Sequence, residues 1–303
     1  MNTIYDVVII GAGPGGISAA IYAQRAGLNS LLIEKAYVSG GQIINTAEVD
    51  NYPGLPGVSG MDLANKFKEH AEGMGVSFVR AEVISVEGQE SVKTILTTNE
   101  QYLAKNIIIA TGATHRLLGI SGEMELAGMG VSYCATCDGA FFKDKIVAVI
   151  GGGDVAVEDA IFLARLCKKV YVVHRRDELR AAKVLQDRLW ALDNVEMLWN
   201  KVPEEIIGEG QVAKIALSDV KTQIKQEVEV DGVFVAVGMN PQTQGFADIV
   251  AVDESGYIKA GEDCRTNIAG IYVVGDVRTK ALRQIITAAA DGANAITSVQ
   301  ADA

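Results

Sequence analysis

Short apolar runs and Ala-rich stretches at helical spacing alternate along this chain. Tyr5 to Ile10 is a short apolar run that predicts a strand, and Gly15 to Ala26 predicts the helix that follows. Ser30 to Glu34 predicts a second strand. The same order returns as a strand at Lys145 to Ile150, a helix at Val155 to Cys167 and a strand at Val170 to His174. Starting from Gly11 and Gly151, the two segments align without a gap over about twenty-five positions. Each copy continues into strand-like stretches separated by turn signals. These are Val83 to Val86, Val92 to Thr97 and Ile107 to Thr111 in the first copy, and Lys214 to Leu217, Val228 to Val230 and Val233 to Val237 in the second. Both copies close on a strand and a glycine, Thr111-Gly112 and Val237-Gly238, and Ile271 to Gly275-Asp276 gives a third such ending.

This pattern predicts an α/β chain of two Rossmann-like three-layer nucleotide-binding domains, the second inserted in the first. Residues 1–112 and 242–303 would form one domain and 115–240 the other, with connectors near 113–116 and 240–243. The length of 303 residues fits two domains of about 150 residues each. Hydrophobic residues make up 49%, enough for two buried cores, and the 32 glycines suit close backbone approaches around nucleotides. A net charge of −11 argues against nucleic-acid binding. The apolar runs are too short for a membrane span, and the N-terminus, entering a strand by Asp6-Val7-Val8, is not expected to be a signal peptide. A cytoplasmic location is the corresponding expectation.

Gly11, Gly13 and Gly16, with Pro14 between them, form a GxGxxG turn after a strand and before a helix. The first glycine makes the tight turn, the second admits a pyrophosphate, and the third lets the helix pack on the strand. Glu34, eighteen residues after Gly16, ends the next strand where an acid can accept ribose hydroxyls. Asp276, after Gly275, could bind a ribityl hydroxyl or orient the pyrophosphate. The second turn, Gly151, Gly153, Asp154, Val155 and Ala156, is a GxGxxA version. Where the first copy has Glu34-Lys35, the second has His174-Arg175, followed by Arg176 and Arg180. Exchanging the ribose acid for a basic cluster favours a 2′-phosphate, hence NADPH over NADH. The alternative is a solvated helix start capped by Asp177.

Four cysteines include one CxxC, Cys134 and Cys137, followed by Asp138. It reads as a redox dithiol, half of a zinc site, or two buried thiols. Zinc would need about two more ligands, whereas Cys167 and Cys264 are isolated and the three histidines scattered, so no metal is expected. The spacing allows a small-loop disulfide, and Asp138 could exchange a proton with the outgoing thiolate. His70 falls in an amphipathic stretch with Leu63, Phe67 and Ala71 and reads as structural; Trp190, among Leu185, Leu189 and Leu192, reads as core. His115 has no assigned role.

With these parts in this order, the chain resembles the low-molecular-weight bacterial thioredoxin reductases over essentially its whole length. The resemblance is carried by Gly11 to Gly16, Gly40-Gly41-Gln42, Val131 to Gly139, Gly151 to Glu158, His174 to Arg180 and Gly275 to Ile285. It implies a glutathione-reductase-like fold, FAD in the first domain and NADPH in the domain that carries the CxxC. Lys35, Gly41, Gln42 and Asn51, with Gly275, Asp276, Arg283, Gln284 and Ile285, would complete the FAD site. Cys137 would face the flavin, Cys134 would attack the disulfide of thioredoxin or a thioredoxin-like protein, and Asp138 would be the acid. Glu158 would lie near the flavin in one of two domain orientations, and the enzyme would be a homodimer. Val155 stands where the family often has a small hydroxyl residue, but the helix N-terminus still offers its N–H groups. Arg175, Arg176 and Arg180 argue against the ferredoxin-dependent relatives, and the CxxC against a reductase of an iron–sulfur protein. The start at a nucleotide strand makes an extra N-terminal redox domain unexpected. A non-enzymatic nucleotide-sensing or zinc-stabilised scaffold is the contrasting class; it would be colourless or zinc-loaded, without NADPH turnover.

Overall fold

The computed structural model describes residues 3–46, 48–88 and 91–303. In chain order the elements are β1 (Ile4–Ile10), α1 (Pro14–Arg25), β2 (Ser30–Glu34), α2 (Gly60–Gly73), β3 (Ser77–Arg80), β4 (Val83–Glu87), β5 (Lys93–Thr97), β6 (Gln101–Ile109) and β7 (Ala113–His115). They continue with β8 (Val131–Ser132), α3 (Ala135–Asp138), β9 (Ile146–Ile150), α4 (Asp154–Ala164), β10 (Lys169–His174), α5 (Lys183–Trp190), β11 (Val195–Trp199), β12 (Lys201–Ile207), β13 (Lys214–Asp219), β14 (Lys225–Glu229), β15 (Gly232–Val235) and β16 (Met239–Pro241). The chain closes with β17 (Ile271–Val273) and α6 (Ile285–Ala301). It divides into two compact units, Met1–Thr114 with Asn240–Ala303 and His115–Met239.

In the first unit the sheet runs β3-β2-β1-β6-β5-β4, with β17 also on β6. Strands β1, β2, β3, β6 and β17 are parallel, and β4 and β5 extend the sheet antiparallel. The continuous apolar run of β1 is explained by alternation between two cores. Val7 and Ile9 point to α1 and α6, against Ala19, Ala23, Ala295 and Val299. Val8 and Ile10 point the other way, against Val86, Ile95, Phe246 and Ile258. One edge of β6 carries β1, and the other is shared, with Gln101 to Ala104 on β5 and Ile107 to Ile109 on β17. Helices α1 and α6 cross closely because Gly292 has no side chain. A Cβ there would strike the Gly15 carbonyl and sit 2.6 Å from the Ala19 nitrogen. The Ser18 hydroxyl fastens the crossing with a 2.6 Å bond to the Ala289 carbonyl.

The second unit repeats the plan with a fully parallel sheet, β11-β10-β9-β15-β8. Val147, Val149 and Val172 face α4 through Val157, Ala160 and Leu163. Ala148, Ile150 and Val233 face the antiparallel meander β12-β13-β14 through Ile206, Ile215 and Leu217. Strands β7 and β16 pair where the chain passes between the units.

Several details differ from the sequence pattern. Strands β3 and β11 lie at sheet edges, where half-burial leaves no long apolar run to read. Strand β6 reaches back to Gln101 because β5 pairs with it there, and β1 joins on the other edge from Leu103. Asp177 caps no helix: α5 begins at Lys183, and the Asp177 carboxylate takes a 2.9 Å bond from Lys221. Trp190, expected in the core, is 48% exposed, with its ring 6.2 Å from that of Trp199. Among the described residues, no helix is long and apolar enough to cross a membrane.

Candidate functional site

The Gly11–Gly16 turn follows β1 directly. Gly11 has a φ of 108°, which a residue with a Cβ rarely adopts, and Pro14 opens α1 with the fixed φ that suits a first helical position. A Cβ on Gly16 would collide with the Gly11 carbonyl, so the helix can start this close to the strand only with glycine there. Glu34, at the end of β2, accepts from the Ala12 N–H at 2.7 Å and from the Ala36 N–H at 2.8 Å. A carboxylate has about four acceptor positions, so two remain for ribose hydroxyls. The Gly40 N–H donates to the Ala12 carbonyl at 2.8 Å, which brings Gly41 beside Gly13. The Gln42 amide donates to the Ala113 carbonyl. Lys35 is not drawn in; it stands exposed, 3.9 Å from Glu82.

The last part of the chain reaches the same turn. A Cβ on Gly15 would lie 3.5 Å from the Gly275 nitrogen and 3.1 Å from the Ala288 carbonyl, so both the Gly275 turn and the start of α6 sit against it. Gln284 caps α6 in a reciprocal pair with Thr287, and its side chain accepts from Asn51 at 2.8 Å. Ile285 is the first residue of α6. The Arg283 guanidinium lies 4.0 Å from the centre of the Tyr257 ring and donates to the Asp276 carbonyl at 3.3 Å. Burial pushes the Asp276 carboxyl up, against the pull of Lys280 and Arg283.

Sequence reasoning missed the support beneath this turn. Asp291 of α6 is 2% exposed and accepts from the Gly275 N–H at 2.9 Å, from Arg278 at 2.9 and 2.7 Å, and from Lys280 at 2.8 Å. Burial alone would push the Asp291 carboxyl up, but the hydrogen bonds from Arg278 and Lys280 outweigh it and hold the group below the usual carboxylate range. The available signal was a lone acid in an otherwise small and apolar helix.

In the second unit, Gly151 has a φ of 155°, Gly153 caps α4, and Asp154 opens it, accepting from the Ala182 N–H at 2.7 Å. Ala156 is buried under the turn, and Val155 and Glu158 are exposed on α4. Ala12 and Gly152 occupy equivalent places, as do Glu34 and His174. In the first copy the acid takes the N–H of the middle turn residue. In the second the imidazole packs on it, and a Cβ at Gly152 would run into the ring. His174 is 5% exposed; burial, with Arg180 and Arg176 nearby, lowers its pKa and favours the neutral ring. The Arg180 N–H donates to the Gly152 carbonyl at 2.7 Å, which hangs the basic segment on the turn. Arg175, Arg176 and Arg180 are exposed, and no ion pair is found for them among the described residues.

Cys134 and Cys137 form a disulfide across α3, with Cα atoms 5.3 Å apart. Asp138 closes that short helix and receives the Ser132 hydroxyl at 2.6 Å. Burial pushes the Asp138 carboxyl up, and the Ser132 bond opposes this. Cys167 and Cys264 are buried free thiols, both pushed up by burial. His115 is stacked on Tyr133, with ring centres 5.1 Å apart, and His70 is exposed on α2.

Two side-chain atoms among the described residues are buried without a hydrogen-bond partner, Asp276 Oδ1 and His174 Nε2. One stands at each nucleotide turn. Leaving such a group unsatisfied costs about 1–3 kcal/mol, which a ligand's hydroxyl or phosphate can offset. The residues present therefore fit a dinucleotide at each turn.

Comparison with known proteins gives the same result. The family model described as pyridine nucleotide-disulphide oxidoreductase matches residues 5–292. The thioredoxin reductase of Listeria innocua is 49% identical over 290 residues, covering 95% of this chain and 91% of that protein. The thioredoxin reductase of Bacillus subtilis is 45% identical over 298 residues, covering 98% and 94%. The crystal structure of thioredoxin reductase from Streptococcus pyogenes superposes with a TM-score of 0.94 at 46% identity, covering 100% and 99%. The chain belongs to the pyridine nucleotide-disulphide oxidoreductases, and within them to the thioredoxin reductase family.

Proposed function

We propose that this protein is an NADPH-dependent thioredoxin reductase. The reading rests above all on the Cys134–Cys137 disulfide with half-buried Asp138 beside it, in a chain of the disulphide oxidoreductase family. FAD belongs to the first unit, over Gly11, Gly13, Pro14, Gly16, Glu34, Gly41, Asn51, Asp276, Arg283, Gln284 and Ile285. NADPH belongs to the second, over Gly151, Gly153, Asp154, Ala156, His174, Arg175, Arg176 and Arg180. When bound, FAD supplies a two-electron relay between the nicotinamide and the disulfide.

The chain's own residues do the rest. Two electrons and two protons convert the Cys134–Cys137 disulfide into two thiols, with Asp138 giving one proton. The Cys134 thiolate then attacks the disulfide of thioredoxin and forms a mixed disulfide. The Cys137 thiolate attacks Cys134 in that bond, which restores the internal disulfide and releases reduced thioredoxin. The arginines choose the nucleotide. Charge-assisted bonds contribute about 1.5–3 kcal/mol each, so two of them to a 2′-phosphate favour NADPH over NADH by roughly 10²- to 10⁴-fold. The reading includes a homodimer, carried over from the family resemblance, and a place in the cytoplasm.

The test is NADPH oxidation with oxidised thioredoxin, for the parent protein and for Cys134→Ser and Cys137→Ser. Each variant should lose thioredoxin turnover while NADPH still bleaches the flavin. Full turnover by either variant would remove the dithiol from the mechanism.

A further inference from the structure

We infer that Ser132 is the positioning residue of the Asp138 carboxyl, holding it in place and stabilising its anion each time it gives up a proton. The inference rests on the reading of Asp138 as the acid of the Cys134–Cys137 pair.

Helix α3 has four residues and cannot by itself fix the side chain at its end. Ser132 comes instead from the sheet. It is the last residue of β8, paired in parallel with Phe234 of β15, and it is 5% exposed. Its hydroxyl donates to Asp138 Oδ2 at 2.6 Å and accepts from the Cys134 N–H at 3.1 Å. One hydroxyl thus joins the acid to the backbone of the first redox cysteine. Its remaining contact, 3.4 Å from the Cys134 carbonyl, competes for the same single proton and is the longer of the two.

The arrangement suits a group that changes charge. A neutral Asp138 can keep its proton on Oδ1 while Oδ2 accepts from Ser132. After proton transfer the same bond becomes charge-assisted and shorter, with no side chain having to turn. The step balances: two electrons from the reductase reaction break the sulfur–sulfur bond, and the Asp138 proton goes to one of the two sulfurs. The carboxylate recovers a proton from solvent.

Other titratable groups stand on the neighbouring elements. Helix α4 packs on α3 and carries Asp154, Glu158 and Asp159. Burial, with Glu158 beside it, pushes the Asp159 carboxyl up to about 7. On the β8 side, Tyr133 donates to Glu123 at 3.0 Å, and His115 stacks on Tyr133. An effect of Ser132 must therefore be shown to pass through Asp138.

The experiment is the pH profile of kcat/KM for thioredoxin reduction by the holoenzyme, in Ser132→Ala, Ser132→Thr, Asp138→Asn and the Ser132→Ala/Asp138→Asn double variant. Loss of a charge-assisted bond should move the Asp138 limb up by about one to two pH units in Ser132→Ala. Ser132→Thr keeps the hydroxyl and should leave the limb in place. In the Asp138→Asn background, Ser132→Ala should add no further pH-dependent change, beyond a pH-independent loss from the bond to the Cys134 N–H. An unshifted limb in Ser132→Ala, with the limb gone in Asp138→Asn, would overturn the role of Ser132 alone. Equal losses at every pH in both backgrounds would also overturn it, as the mark of a purely structural serine. A limb that persists in Asp138→Asn would overturn the acid reading, and the inference with it. If Ser132→Ala does not fold, Ser132→Cys replaces it as a weaker donor, with a smaller upward shift expected and an unshifted limb again overturning the role.

Discussion

Gly152 stands at the variable position of its GxGxxA turn, yet the His174 ring leaves no room for a side chain without shifting. The perturbation is Gly152→Ala. The backbone there lies outside the left-handed region, so alanine meets no conformational penalty. The obstacle is the His174 ring, whose Nδ1, Cε1 and Cγ would all be struck by the new Cβ. The ring has little freedom to yield, being buried and packed edge-on against Trp199 at 6.4 Å. Inserting one carbon into such a contact costs about 1–3 kcal/mol. With a urea slope of about 2 kcal/mol/M, the unfolding midpoint should fall by about 0.5–1.5 M. Both tryptophans, Trp190 and Trp199, lie in the second unit, so their fluorescence reports its unfolding alone. His174→Ala makes room for the added carbon, so the double variant should be less destabilised than the sum of the singles by about 1 kcal/mol or more. Simple additivity would refute the packing argument, as would a Gly152→Ala protein with the parent midpoint.

Three further outcomes are expected. Replacing Arg175 and Arg176 with alanine should weaken NADPH binding by roughly 10²- to 10⁴-fold and leave NADH almost unchanged; ratios of kcat/KM for the two nucleotides check this. Asp291→Ala leaves Arg278 and Lys280 buried without their acid, and should cost about 3–5 kcal/mol; a thermal melt and the flavin-to-protein ratio will both show it, whereas a parent-like melt would mean the cluster relaxes freely. His174 and His115 are both shifted down by burial, so the folded second unit binds fewer protons than the unfolded chain just below the ordinary histidine pKa. Their contribution to stability is complete above about pH 6.5 and is lost as pH falls through the folded values; tryptophan-monitored urea titrations should show this loss, diminished in His174→Asn.

The strand–turn–helix starts were legible because they obey local rules. Gly11 and Gly151 need a backbone that only glycine adopts readily, and the runs before them are apolar because two cores claim alternate residues. The antiparallel strands were only partly legible, and β12 went unread: its Lys-Val-Pro-Glu-Glu opening carries no strand signature without β13 beside it. The candidate site divides in the same way. Cys134, Cys137 and Asp138 are adjacent in sequence and could be read together. Ser132 could not, because a serine declares its partner only when its strand is placed against α3. Asp291 and Gly275 are sixteen residues apart and meet through the return of α6. The 140-residue offset that pairs Glu34 with His174 was visible, but the reversal from hydrogen bond to ring contact at residue 152 depended on side-chain shape.

The first unit is finished by the last elements of the chain, and this sets an order on its biosynthesis. At about 5–20 residues per second, a ribosome needs about 10–40 s to pass from Thr114 to the end of α6. Through that interval β1, β2 and β6 exist without β17, and α1 without the Ala295, Ile296 and Val299 that cover it. The second unit, contiguous from His115 to Met239, has all its strands long before then. The inserted unit therefore emerges complete on a nascent chain whose first half still exposes a bare edge of β6 and one uncovered face. That half-made sheet is the stretch of translation most in need of a chaperone, and the turn at Gly11 is not backed by Gly275 and α6 until those segments have been made.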